Sequence, residues 1–201
     1  MEVGLLYSGG KDSTLAALFL ERFCSVTLLC GSFGITDDHE HARQAAARLG
    51  LPARRLGLDP TVARAAADRI VADGYPRHGI QRVHEHALER AAATGVEAVA
   101  DGTRRDDRAP TVDRSLAQSL EDRYDVAHLA PLAGLGRRAI DALAETALRV
   151  ETGPSERIGT GDYEAELRAL IDAEHDATVR ELFPDHTQSR VTGRRSPPAG
   201  E

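Results

Sequence analysis

Lysine is almost missing from this chain: of 25 basic residues 24 are arginine, and the single lysine is Lys11. Arginine is a wide planar fork and lysine a slim point charge, so a tight turn around an anion is a place where the two are not interchangeable. Cysteine is scarce too. Cys24 and Cys30, with five residues between them, fit neither a CxxC redox pair nor half of a zinc site, and a reducing compartment is expected. No apolar run approaches the ~20 residues that span a bilayer, and no basic-then-apolar leader follows Met1, so no membrane contact and a cytoplasmic location are expected. A formal charge of −7 argues against indiscriminate nucleic-acid binding and leaves room for a local basic patch.

What is present alternates. Glu2 to Tyr7 is a short apolar run, followed by a glycine turn and by Ser13 to Phe23 with apolar residues at helical spacing. Strands are expected at Val26 to Cys30, Ala53 to Leu58, Glu97 to Ala100 and Val126 to Leu129. Helices are expected at Asp37 to Leu49, capped by Asp37 or Asp38 and stopped by Gly50, then at Thr61 to Ala72, Ile80 to Thr94 and Ser115 to Tyr124. Two more follow at Arg137 to Arg149 and Tyr163 to Phe183, forming a helical C-terminal extension. The 201 residues suit one domain over 1–187, with 188–201, including Pro197 and Pro198, as a flexible tail. The pattern implies an α/β fold: a Rossmann-like, five-stranded parallel sheet of order 3-2-1-4-5 with helices on both faces. Ligands of such sheets sit at the carboxyl ends of the strands where the order reverses. There the loop after the first strand and the loop Asp101 to Pro110 would face each other.

The first of those loops reads Ser8-Gly9-Gly10-Lys11-Asp12-Ser13. Two glycines let backbone approach a ligand, and the free N–H groups of a helix start favour an anion. Ser8 and Ser13 add hydroxyls, Lys11 adds charge, and Asp12 is placed to hold or orient a magnesium ion bound to phosphates. It is not a Walker A loop, which needs four residues between its glycines and Ser or Thr directly after the lysine. In the second loop the adjacent carboxylates Asp106 and Asp107 repel unless a cation joins them, so a metal ion, at Asp107 together with Asp12, or an arginine is expected there.

The SGGKDS turn resembles the SGGxDS signature of the PP-loop ATP pyrophosphatases, also called adenine-nucleotide α-hydrolases. The segments Ala100-Asp101-Gly102-Thr103-Arg104-Arg105-Asp106-Asp107-Arg108, Asp162 to Arg168 and Phe183 to Arg190 look like an archaeal group described as a predicted subunit related to tRNA 2-thiouridylase. The resemblance implies Mg-ATP as ligand and a reaction in which ATP adenylates an acceptor, pyrophosphate leaves and a nucleophile displaces AMP. It implies that Ser8 to Ser13 hold pyrophosphate, that Gly31 and Ser32 border adenine, and that Gly102, Asp106 and Asp107 match later family positions. Negative charge builds on the departing pyrophosphate, and Lys11, Arg104, Arg105 and Arg108 are the candidates to stabilise it.

The acceptor implied is a tRNA base, with Arg104, Arg105, Arg137 and Arg138 placed to meet RNA. Thiolating relatives employ cysteine pairs, which this chain lacks, so sulfur would come from a partner protein. The alternatives are a ligase that activates a carboxylate for an amide, with ammonia from a partner, and an ATP-binding subunit without turnover. Cys30 reads as buried filler. His39 with His41 and His84 with His86 lie at i and i+2 on helices, point to different faces, and read as surface or helix-end residues rather than metal ligands. The His186 to Arg190 cluster is expected either to close over the substrate or to bond to the domain surface.

Overall fold

The computed structural model describes residues 1–155 and 157–195. Five parallel strands, β1 (Glu2–Leu6), β2 (Ser25–Ser32), β3 (Ala53–Gly57), β4 (Ala98–Ala100) and β5 (Ala127–Leu129), form a sheet of order β3-β2-β1-β4-β5. That is the expected order, and the strand order, built outward first to β3 and then to β5, reverses between β1 and β4. Side chains alternate strictly across the sheet. Val3, Leu5, Leu28, Cys30, Ala98 and Ala100 enter one core, whereas Leu6, Leu29 and Val99 enter the other.

The first core is closed by α1 (Lys11–Leu20), α2 (His39–Leu49) and α6 (Arg137–Ala147); the second by α3 (Pro60–Asp73), α4 (Arg77–Ala92), α5 (Arg114–Tyr124) and α7 (Tyr163–Glu174). Alanines such as Ala16, Ala17, Ala45, Ala46, Ala66 and Ala67 are fully buried on these helices and let them lie close to the sheet. Pro60 follows the N-cap Asp59, whose carboxylate accepts from Thr61 N at 2.8 Å, and Asp113 caps α5 through Leu116 N at 2.8 Å. Gly50 ends α2 in the left-handed conformation, as expected; Asp38 occupies its N-cap position, but its carboxylate accepts from Thr36 Oγ1 at 2.6 Å instead of capping. Among the described residues, no helix is long and apolar enough to cross a membrane.

The C-terminal third departs from the expected helical extension. The helix from Arg137 stops at Ala147, and β6 (Leu148–Pro154) pairs antiparallel with β7 (Thr187–Arg194). Residues 188–194, expected as flexible tail, are therefore a strand anchored by fully buried Val191; residues 196–201, with Pro197 and Pro198, lie outside the described residues. The expected helix Tyr163 to Phe183 is interrupted at 175–178 and resumes as the single turn α8 (Val179–Leu182).

Candidate nucleotide site at the switch point

The loop between β1 and α1 is held from three sides. Gly9 sits at φ +81°, a conformation that only glycine adopts without strain. Its carbonyl accepts from Val191 N at 2.9 Å, the carbonyl of Ser8 accepts from Gly161 N at 2.8 Å, and Ser189 Oγ accepts from Lys11 N at 3.3 Å. Gly10, at the N-cap of α1, has no side chain to offer, so among the described residues the only side chain on a first-turn N–H is that of Ser189, which takes Lys11 N. The N–H groups of Asp12 and Ser13 in the first turn of α1 thus remain for a ligand. From the opposite wall Gly102 backs onto this turn: a Cβ there would stand 2.8 Å from Ser13 N and 3.1 Å from the carbonyl carbon of Asp12. The two loops expected to face each other do so at contact distance.

Between them opens a cleft of about 530 Å³, within the size range of small-molecule sites. It is lined by Ser8, Asp12, Ser13, Gly31, Gly102 and Thr103 and, among its apolar groups, by Tyr75, Pro76, Ile80, Ala109, Pro110 and Tyr163. Asp12 Oδ2 is 3.5 Å from Arg104 Nε, while Oδ1 is buried with no hydrogen-bond partner and has Lys11 Nζ 3.4 Å away. A buried carboxylate oxygen without a hydrogen bond is costly unless a ligand or cation completes it. Among the described residues no three His, Cys, Asp or Glu side chains gather as a metal cage. Magnesium bound chiefly by phosphates and water needs only one or two carboxylates, and Asp12 fits that role.

The other residues singled out from the sequence have different settings. Asp107 lines the cleft, but its Oδ1 takes Arg104 Nε at 3.0 Å and Nη2 at 2.5 Å, and its Oδ2 takes Arg104 N at 2.7 Å. Of the two partners expected for Asp107, the structure shows arginine, whose bonds engage both carboxylate oxygens. Asp106 Oδ2 accepts from Arg137 N at 2.9 Å at the start of α6, a bond that holds its carboxyl below the usual range; it does not line the cleft. Arg105 is exposed, with its backbone N–H on Leu135 O at 3.1 Å. Ser32 is fully buried and donates to Glu166 Oε1 at 3.3 Å, away from the cleft. Lys11 lies on the far side of the loop in a second cleft with Arg137, Asp141, Thr187 and Ser189, its Nζ 3.5 Å from Asp141 Oδ1.

Sequence reasoning passed over several polar residues that shape the site. Buried Glu166 gathers Phe33 N at 2.9 Å, Ile35 N at 3.0 Å and Thr36 N at 3.4 Å, fixing the loop after β2. His84, expected near the surface, is buried on the cleft wall, whereas His86 faces the other way and accepts from Asp59 N at 3.1 Å. Asp101 is buried at the end of β4 and meets His128 Nε2 at 3.0 Å. The C-terminal cluster bonds to the domain: Gln188 donates to Thr160 Oγ1 at 2.7 Å and to Asp162, and His186 Nε2 lies 3.8 Å from Glu164 Oε2. Cys30 is wholly buried, as expected, and burial pushes its thiol up to about 12.

A curated protein of Methanocaldococcus jannaschii with no assigned activity is 37% identical over 194 residues, which are 96% of each chain. A crystal structure from the same organism, described as a predicted subunit of tRNA methyltransferase, has 36% identity and a TM-score of 0.90, covering 98% of both chains. That description names tRNA modification, as the resemblance implied, but through a methyltransferase rather than a thiouridylase. An ammonia-dependent NAD synthetase of Campylobacter jejuni shares 18% identity over 72% of this chain and 62% of its own, at a TM-score of 0.39 too low to argue from. The match from residue 1 to residue 193, nearly the whole chain, places this protein in the family described as "Family of unknown function (DUF7411)".

Proposed function

We propose that this chain binds Mg-ATP in the switch-point cleft and splits it to AMP and pyrophosphate by adenylating an acceptor in tRNA modification. The observation that carries the reading is the meeting, at one cleft, of the α1 start, whose N-cap Gly10 offers no side chain, the close-packed Gly102 and Asp12 Oδ1, which accepts no hydrogen bond from a described residue and has Lys11 Nζ 3.4 Å away. Ser8 and Ser13 hydroxyls and the first-turn N–H groups would take phosphate oxygens, and Asp12 would hold magnesium, which supplies charge neutralisation on the departing pyrophosphate. Arg104, half-buried and fixed by Asp107, keeps a cation 3.5 Å from Asp12 without needing to move when charge develops.

The test is product identity from ATP labelled at the α phosphate, with and without bulk tRNA. AMP that appears with tRNA is the expected product; ADP would overturn cleavage at the α phosphate. A second reading, an ATP-binding subunit that turns over only with a partner protein, is favoured by the word subunit in the description of the 36% identical structure. ATP binding without release of AMP, restored by a partner, is its expected signature.

A further inference from the structure

His84 has a setting unlike that of the other histidines. Its side chain is 6% exposed, it lines the switch-point cleft, and its Nε2 is buried without a hydrogen-bond partner, 4.0 Å from Asp101 Oδ2. Asp101 is itself held from two sides: Oδ1 accepts from Thr103 N at 2.7 Å, and Oδ2 lies 3.0 Å from Nε2 of His128 on β5. The next residue, Gly102, touches the start of α1, so this carboxylate and imidazole stand beside the phosphate-binding turn. Tyr163 closes the set with its ring edge against His84 at a centroid distance of 6.1 Å.

We propose that His84 is the general base of the site, taking the proton of the acceptor as its oxygen attacks the α phosphorus, with Asp101 and His128 as positioning residues. This rests on the reading given under Proposed function. One bond forms, from acceptor oxygen to phosphorus; one breaks, from phosphorus to the pyrophosphate oxygen, which leaves with the electron pair. The acceptor's proton, from a hydroxyl or from the N–H of a base lactam, goes to the His84 ring. No oxidant or reductant is required. With the carboxylate facing Nε2, the neutral tautomer carries its hydrogen there and leaves Nδ1 to receive the proton; the imidazolium then points its Nε2–H at Asp101. The groups that act on His84 are Asp101 on β4, His128 on β5, Tyr163 on α7, Asp107 in the cleft loop and Glu85 on its own helix. Burial pushes its basicity down while Asp101 works in the opposite direction, and burial prevails, which favours the neutral ring that a base requires.

The experiment measures AMP from α-labelled ATP and tRNA against pH for wild type, His84→Gln and Asp101→Asn, with ATP binding measured on each protein by calorimetry. His84→Gln is expected to lose about 100-fold in AMP formation, the scale of general-base catalysis, with ATP affinity unchanged and the acid limb of the pH profile gone. Asp101→Asn is expected to keep the limb and move it to lower pH, because the carboxylate that favours the imidazolium is removed; a merely structural role would not move it. Because His84→Gln removes a buried ring and could unfold, the imidazole of His84 is also followed by NMR in the wild-type protein bound to ATP. A neutral ring at pH 7 is expected, and a charged one there overturns the proposal. Undiminished AMP formation by folded His84→Gln overturns the role of His84 alone. No AMP from wild type overturns the adenylation reading and this role with it.

Discussion

Asp12 and Gly102 meet across less than the width of a side chain, and each can be changed to a different effect. Asp12 is part-exposed, and its partner Arg104 keeps Asp107, so Asp12→Ala is expected to shift urea unfolding by less than about 1 kcal/mol while abolishing release of AMP. Full activity in that variant would remove Asp12 from the mechanism. Gly102→Ala places a methyl against backbone atoms of Ser13 and Asp12 that cannot yield, and is expected to cost about 1–3 kcal/mol and to weaken ATP binding in calorimetry. Cys30 supplies a pH prediction. Its folded value of about 12 lies above the ordinary 9, so its contribution to stability is whole below pH 9 and is lost as pH rises from 9 toward 12. Alkylation of native protein at pH 8 is accordingly expected to label Cys24 and spare Cys30 until unfolding. Asp12 and Gly102 were legible because they belong to a contiguous turn and to the loop that the topology brings opposite it. His84 and Asp101 were not: helical spacing shows that His84 and His86 point apart, but not which of the two enters the interior, and Asp101's partner His128 is contributed by a strand 27 residues away.

The parallel sheet was readable element by element because each strand is a short apolar run bounded by turn residues, buried on both faces. The β6–β7 hairpin lacks that signature. Leu148, Val150 and Val191 alternate with Arg149, Glu151, Arg190 and Thr192, two apolar positions at most per strand, and the pairing of Val150 with Val191 spans 41 residues of chain. The same alternation over 148–150 continues a helical run from Arg137 without an internal stop, which is why that helix was read too long. Yet this hairpin completes the candidate site, since Val191 N and Ser189 Oγ bond directly to the glycine turn at Gly9 O and Lys11 N. Val191→Ala, at a fully buried position, is expected to lower the unfolding free energy by about 1–3 kcal/mol. Ending the chain at His186 is expected to abolish ATP binding in calorimetry beyond any loss of stability, because the Gly9 carbonyl loses its donor and the turn its outer support. A truncated chain that binds ATP with full affinity would reduce β7 to a stabilising strand.

At the scale of the whole molecule the question is how an acidic protein, at −7, would hold an acidic polymer. Its arginines are not spread evenly in function: many are spent on carboxylates, as Arg69 on Asp73, Arg123 on Glu89, Arg168 on Glu164 and Arg194 on Glu21. Arg77, Arg105, Arg108, Arg137 and Arg138 are exposed and form no salt bridge with a described residue. Arg77 and Arg108 line the switch-point cleft and Arg137 the cleft on the far side of the glycine turn, so positive charge borders both openings. A guanidinium is weakly hydrated and suits phosphate contacts. If all five meet phosphates, the logarithm of the tRNA binding constant should fall with the logarithm of salt concentration at a slope near about −4, each contact adding roughly 0.7 to 0.9. Arg77→Glu with Arg108→Glu should lessen that slope by about 2 and suppress tRNA-dependent AMP at moderate salt. An unchanged slope in the double variant would mean that RNA does not approach through this cleft, and the acceptor would then have to be a small molecule or a segment of a partner protein.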